Sequence, residues 1–168
     1  MTFVHDLTQK LEENRELISE WMAKKRSEVP IPIYGSVDIR DAGWKVAVVD
    51  ANHFPAGFNN TSPEDEPHLS ALLRNHINRK HEGCTWVHLY PESHTRNAGY
   101  VENVATIKRL IEAAGFRCTV GSPELDEHGF LDGITGPLML DAVTVVDENL
   151  LIGGKKPCLV LLNNDLTE

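Results

Sequence analysis

The sequence predicts an α/β fold: a mixed, largely parallel sheet flanked by helices, with a hairpin near the C-terminus. Three observations carry this. Segments with helical periodicity alternate with short apolar, β-branched runs along the chain. Cys158–Leu162 is an unbroken apolar run, as expected of a strand covered on both faces. The 168 residues are 41% hydrophobic and 24% charged, enough for a globular domain with a real core.

Taken in order, residues 3 to 28 carry Phe3, Val4, Leu7, Leu11, Leu17, Ile18, Trp21 and Met22 at mostly helical spacing, which predicts one amphipathic helix. Pro30 and Pro32 end it. Ile33–Ile39 and Trp44–Val49 read as strands separated by Asp41-Ala42-Gly43. A polar loop from Asp50 to Thr61 follows. Ser62-Pro63-Glu64-Asp65 opens a second helix, with serine as the expected cap and two acids at the positive end of the dipole. Leu69, Leu72, Leu73, His76 and Ile77 give it an apolar face.

Cys84–Tyr90 is the next strand, bounded by Gly83 and Pro91. A third helix runs from about Arg96 to Ala114, with Gly115 as its C-terminal stop. Phe116–Val120 reads as a strand, and residues 121 to 136 as a surface loop. Leu138–Val146 and Leu150–Ile152 predict a hairpin, and Cys158–Leu162 closes the sheet. The chain is expected to form one domain, with an N-terminal helix over residues 1–29 and a sheet region over 30–168.

The net charge of -9 and a pI near 5.3 exclude nucleic acid and anionic membrane as natural partners. The N-terminus lacks a secretory pattern, and no segment reaches the roughly 20 apolar residues of a membrane span. A cytoplasmic protein is expected. Cys84, Cys118 and Cys158 are odd in number, far apart and set in or beside apolar runs, so buried free thiols are expected rather than a disulfide framework.

Polar residues collect after three predicted strands. Asp50, Asn52, His53, Asn59 and Asn60 follow Val49. Glu92, His94, Thr95, Arg96 and Asn97 follow Tyr90. Asn163, Asn164 and Asp165 follow Leu162. If these strands are parallel, the clusters share the carboxyl edge where open α/β sheets bind ligands. Asparagine offers donors and an acceptor, and arginine grips a carboxylate bidentately. Such a rim suits a zwitterion, and Asp38, Arg40, Glu92 and Arg96 could divide its charges.

Each cluster has a structural alternative. The asparagine pairs could be turn residues. Glu92, His94, Thr95 and Arg96 could cap the third helix. Asp38 and Arg40, two apart on a strand, could be an ion pair. His88, Glu92 and His94 also invite a metal-hydrolase reading, although their spacing matches no common zinc motif. No P-loop, GxGxxG or GxSxG is present, and Gly153-Gly154-Lys155-Lys156 reads as a turn.

The run IYGSVDIRDAGWKVAVVDANHFPAGFNN (residues 33 to 60), PESHTRNAGYVENV (91 to 104) and CLVLLNNDL (158 to 166) together resemble the proteobacterial-type glutamate–cysteine ligases. The resemblance covers nearly the whole chain from Pro30 onward. It implies a Rossmann-like, pre-ATP-grasp-like fold. It also implies ATP-dependent joining of L-glutamate to L-cysteine with Mg2+, the first step of glutathione biosynthesis, with this chain as the substrate-side N-terminal portion.

On that reading Asp38, Arg40, Asn52, Asn59, Asn60, Glu92, His94, Arg96, Asn97 and Asn164 bind substrate, and Asp165 is the metal candidate. No catalytic residue is assigned. Family members are longer, and the ATP-binding region is expected to lie outside these residues. Self-association or association with a C-terminal ligase portion is therefore open to the chain. The competing reading is a non-catalytic amino-acid-binding module.

Overall fold

The computed structural model describes residues 3–93, 97–125 and 129–164. The chain divides into two compact units, Met1–His53 and Phe54–Glu168.

In the first unit the predicted N-terminal helix is two helices, α1 (Phe3–Glu13) and α2 (Arg15–Glu28). They part at Asn14, whose side chain donates to the Lys10 carbonyl at 2.9 Å, a local bond that competes with helix continuation. No residue of α2 is buried, and Leu17 and Trp21 are exposed. Strands β1 (Ser36–Asp41) and β2 (Val46–Asn52) pair antiparallel around a turn. In that turn Gly43 takes a left-handed φ of 81° and donates its N–H to Asp41 Oδ1 at 2.7 Å. β2 continues through Asp50 to Asn52, residues expected to lie in a loop.

The second unit is built on a three-stranded parallel sheet of order β4-β3-β9. Its strands are β3 (Trp86–Pro91), β4 (Arg117–Val120) and β9 (Leu159–Asn163). Helix α3 (Glu66–Lys80) precedes β3, and α4 (Ala98–Ala113) links β3 to β4. Between β4 and β9 come two antiparallel pairs. β5 (Phe130–Asp132) pairs with β6 (Pro137–Met139), and β7 (Val143–Val146) with β8 (Asn149–Ile152). The expected loop over 121 to 136 thus holds a strand, and the predicted hairpin is the β7–β8 part of its range.

The core lies between α4 and the sheet. Val101, Val104, Ile107, Leu110 and Ile111 are essentially buried on α4, against Val87, Leu89 and Val120 of the strands and Ile77 of α3. Ser62 does not cap α3: Asp65 occupies the N-cap, without a side-chain cap bond. Leu72, assigned to the apolar face, is half exposed, while Leu73 and Ile77 are buried. The architecture is mixed α/β. Its parallel sheet is small, accompanied by separate two-stranded antiparallel sheets, and is not a doubly wound Rossmann-like sheet.

Two cysteines depart from expectation. Cys84 and Cys158, just ahead of β3 and β9, form a disulfide with Cα atoms 5.6 Å apart. Their 74-residue separation hides the pairing in sequence, because only the parallel β3–β9 register brings the strand starts together. Cys118 is a buried free thiol, as expected, and burial pushes its pKa up to about 12. No helix among the described residues is long and apolar enough to cross a membrane.

Candidate functional site

Each unit presents its own candidate surface. In the second unit it is the carboxyl edge of the parallel sheet. β3 ends at Pro91 and β9 at Asn163, paired in register, so Glu92 and Asn164 leave the edge side by side.

A buried polar network fixes this edge. Asn103 Nδ2 on α4 donates to Asn163 Oδ1 at 3.2 Å, and Asn103 Oδ1 accepts the Phe58 N–H at 2.9 Å. Asn163 Nδ2 donates to the Pro55 carbonyl at 3.1 Å. The Tyr100 hydroxyl donates to the Asn163 carbonyl at 2.7 Å and accepts the Glu92 N–H at 2.9 Å. Asn103 and Asn163 are 0% and 1% exposed. Such burial is tolerable only because both amides are bonded at either end. The network pins the Phe54–Asn60 loop, α4 and the ends of β3 and β9 to one another.

The predicted residues take different stations around it. Asn59 and Asn60 lie in a single 3-10 turn, Phe58–Asn60. Asn60 is exposed, whereas Asn59 Oδ1 is shut from solvent and accepts no hydrogen bond. That oxygen is an acceptor which a donor would satisfy. Asn97 caps α4, its Oδ1 accepting from Gly99 N at 3.0 Å and Tyr100 N at 3.4 Å. The cap is therefore Asn97 rather than the preceding residues. His94, Arg96 and Asp165 lie outside the described residues.

The β4 end adds residues that the sequence reading passed over. Tyr90 donates its hydroxyl to Glu124 at 2.9 Å. Burial and the Glu124 carboxylate push the Tyr90 pKa up to about 12, so it stays a neutral donor. For Glu124, burial raises the pKa, but hydrogen bonds to its carboxylate, from its own backbone N–H and from the Tyr90 hydroxyl, outweigh it and lower the carboxyl below its ordinary value. Gly121 is required here: a Cβ would stand 2.4 Å from the Asp141 carbonyl oxygen. The available signals were Asn103 on the buried stripe of α4, and Ser122-Pro123-Glu124 directly after a strand.

In the first unit the register sorts the hairpin faces. Ser36 pairs with Asn52, Asp38 with Asp50, and Arg40 with Ala47, so Asp38, Arg40, Asp50 and Asn52 share one face. All four are exposed. Asp38 and Arg40 form no ion pair with each other, which removes the structural alternative. Instead Asp38 stands opposite Asp50, an unfavourable like-charge pair that a bound ammonium would relieve. The strand ending near Val49 belongs to this hairpin and not to the parallel sheet. Of the described cluster residues, Glu92, Asn163 and Asn164 lie at the parallel edge, and Asn59 and Asn60 sit on the Phe54–Asn60 loop pinned beside it.

His88 is not a metal ligand. It is 0% exposed; its Nε2–H donates to the Gly121 carbonyl at 3.0 Å, and its Nδ1 accepts from Thr119 Oγ1 at 3.0 Å. Thr119 Oγ1 in turn accepts the Trp86 Nε1–H at 2.9 Å, which fixes the tautomer. Among the described residues, no three His, Cys, Asp or Glu side chains converge as a cation cage. Gly153 and Gly154 form a turn closed by an Ile152–Lys155 bridge, not a phosphate cradle. The described residues thus do not by themselves build a cage for magnesium.

Residues 8–168 match the GshA family, glutamate-cysteine ligase. The chain belongs to the glutamate–cysteine ligase family. It is also similar to a solved structure, a proposed gamma-glutamylcysteine synthetase from Methylobacillus flagellatus KT, at 32% identity and a TM-score of 0.86. The match covers 96% of this chain and 39% of that one, so this glutamate–cysteine ligase family member spans well under half the length of that protein. No curated protein sequence matches it. Among the described residues, the pinned sheet edge and the open hairpin face are where the polar side chains named above gather.

Proposed function

We propose that this chain is the substrate-side portion of an ATP-dependent ligase that joins the γ-carboxylate of L-glutamate to the amine of L-cysteine. The product, γ-glutamylcysteine, is the first intermediate of glutathione biosynthesis. The observation that carries this reading is the family match over residues 8–168.

The residues proposed to bind amino acid are Asp38, Arg40 and Asn52 on the hairpin, and Asn59, Asn60, Glu92, His94, Arg96, Asn97 and Asn164 in the second unit. Asp165 is the magnesium candidate. Arginine suits a substrate carboxylate, and an aspartate or glutamate suits its ammonium. The chemistry of ATP is assigned to the region in which longer relatives exceed this chain.

Calorimetry on the chain tests the reading. Glutamate should bind, and Arg96→Ala should weaken it at least tenfold. Unchanged affinity in that variant would overturn the site assignment. Glutamate binding with no γ-glutamylcysteine formed, even with a complementing ligase portion, would favour the non-catalytic module.

A further inference from the structure

Hairpin β1–β2 carries two unlike faces. Ile39 pairs with Val48 but Asp38 with Asp50, so Val49 is an extra residue, a β-bulge. The bulge shifts the side-chain alternation by one and puts Val48 and Val49 together on the Ile39 side. That side holds Val37, Ile39, Val46, Val48 and Val49, which are 53%, 58%, 44%, 62% and 55% exposed, with Ala51 opposite Val37 and Asp41 opposite Val46 at the turn end. Trp44, at the hairpin tip, is 77% exposed. Five contiguous β-branched side chains in water on a two-stranded hairpin are an arrangement that is marginal without a cover.

The size of the patch bears on what covers it. Five such residues at half exposure present roughly 450 Å², against about 800 Å² per partner in a stable interface between separate chains. A second copy, with its own net charge of -9, is a poor fit. A larger body held by further contacts is a good one. The Methylobacillus flagellatus protein carries such a body, because more than half of that chain has no counterpart here.

We propose that the apolar hairpin face is the seat of the remaining ligase portion, which presents an apolar surface to Val37, Ile39, Val46, Val48 and Val49. The opposite face, with Asp38, Arg40, Asp50 and Asn52, is left open to substrate. This rests on the reading that the chain works with such a portion.

Cysteine accessibility tests it. Ile39→Cys and Val48→Cys are made separately in this chain, and the matching substitutions in the full-length Methylobacillus flagellatus protein. Maleimide labelling should be at least tenfold slower in the full-length protein, each rate normalised to its denatured state. Equal rates at both positions would overturn the proposal. Sedimentation of this chain supplies a second arm. A monomer supports the proposal, whereas self-association abolished by Ile39→Thr would assign the face to a second copy and overturn it. Threonine keeps the β-branching, so the hairpin persists. Neither readout depends on glutamate binding, so failure here is distinct from failure of the proposed function.

Discussion

Asn103 and Asn163 meet amide to amide beneath the carboxyl edge of the parallel sheet, Nδ2 to Oδ1 at 3.2 Å, although 60 residues separate them. Neither reaches solvent, and each uses its other end to hold the Phe54–Asn60 loop. Replacing Asn103 with leucine removes both the acceptor of the Phe58 N–H and the donor to Asn163 Oδ1. The expected cost is about 2–3 kcal/mol, read from urea denaturation. A loss below about 0.5 kcal/mol would show that the network does not hold the edge.

Arg40 offers the contrasting case. It is exposed and makes no ion pair with Asp38, so Arg40→Ala should leave the melting temperature nearly unchanged. Glutamate affinity should nevertheless fall about tenfold to a hundredfold, the worth of a charge-assisted hydrogen bond. Titration calorimetry alongside a thermal melt separates the two effects.

The Cys84–Cys158 bridge closes a loop of 74 residues. Chain entropy puts its contribution at about 4 kcal/mol. Cys158→Ser should lower the unfolding free energy by that order under oxidising conditions. Under strong reductant, variant and parent should converge. A parent indifferent to reductant would remove the bridge from the stability of the sheet.

His88 predicts a pH dependence. Burial lowers its pKa, opposed by the bond to Gly121 and the charge of Asp141. The unfolded chain therefore binds the proton more readily than the folded one. The stability that neutral His88 contributes is present above the ordinary histidine value near 6.5 and is lost as pH falls below it. Denaturation of the parent and of His88→Gln at pH 7.5 and pH 5 should show a smaller drop for the variant. Equal drops would place the acid sensitivity elsewhere, for instance at His76, which burial and the nearby cations also shift down.

Much of this was written in the local sequence. Helical spacing located α3 and α4, and the apolar runs located β3, β4 and β9, because burial on one face or both leaves a periodic trace. Strands β3 and β9 did run parallel and in register, so Glu92 and Asn164 leave one edge. Long-range facts left no such trace. Cys84 meets Cys158 only through the β3–β9 register, and Asn163 reads as a turn residue until Asn103 is found beneath it. The break at Asn14 was missed because the apolar spacing runs on across it. The strand Phe130–Asp132 is three residues long, too short for a period to show.

The bulge at Val48–Val49 has one more consequence. Read with strict alternation, Val46-Ala47-Val48-Val49-Asp50-Ala51-Asn52 would throw Val46, Val48, Asp50 and Asn52 onto a single side. One surplus residue acts as a phase shifter that unmixes oil from charge. An insertion or deletion of a single codon in this strand would therefore be far more damaging than one in the neighbouring Asp41–Lys45 turn, because it would exchange the two faces along half of the strand.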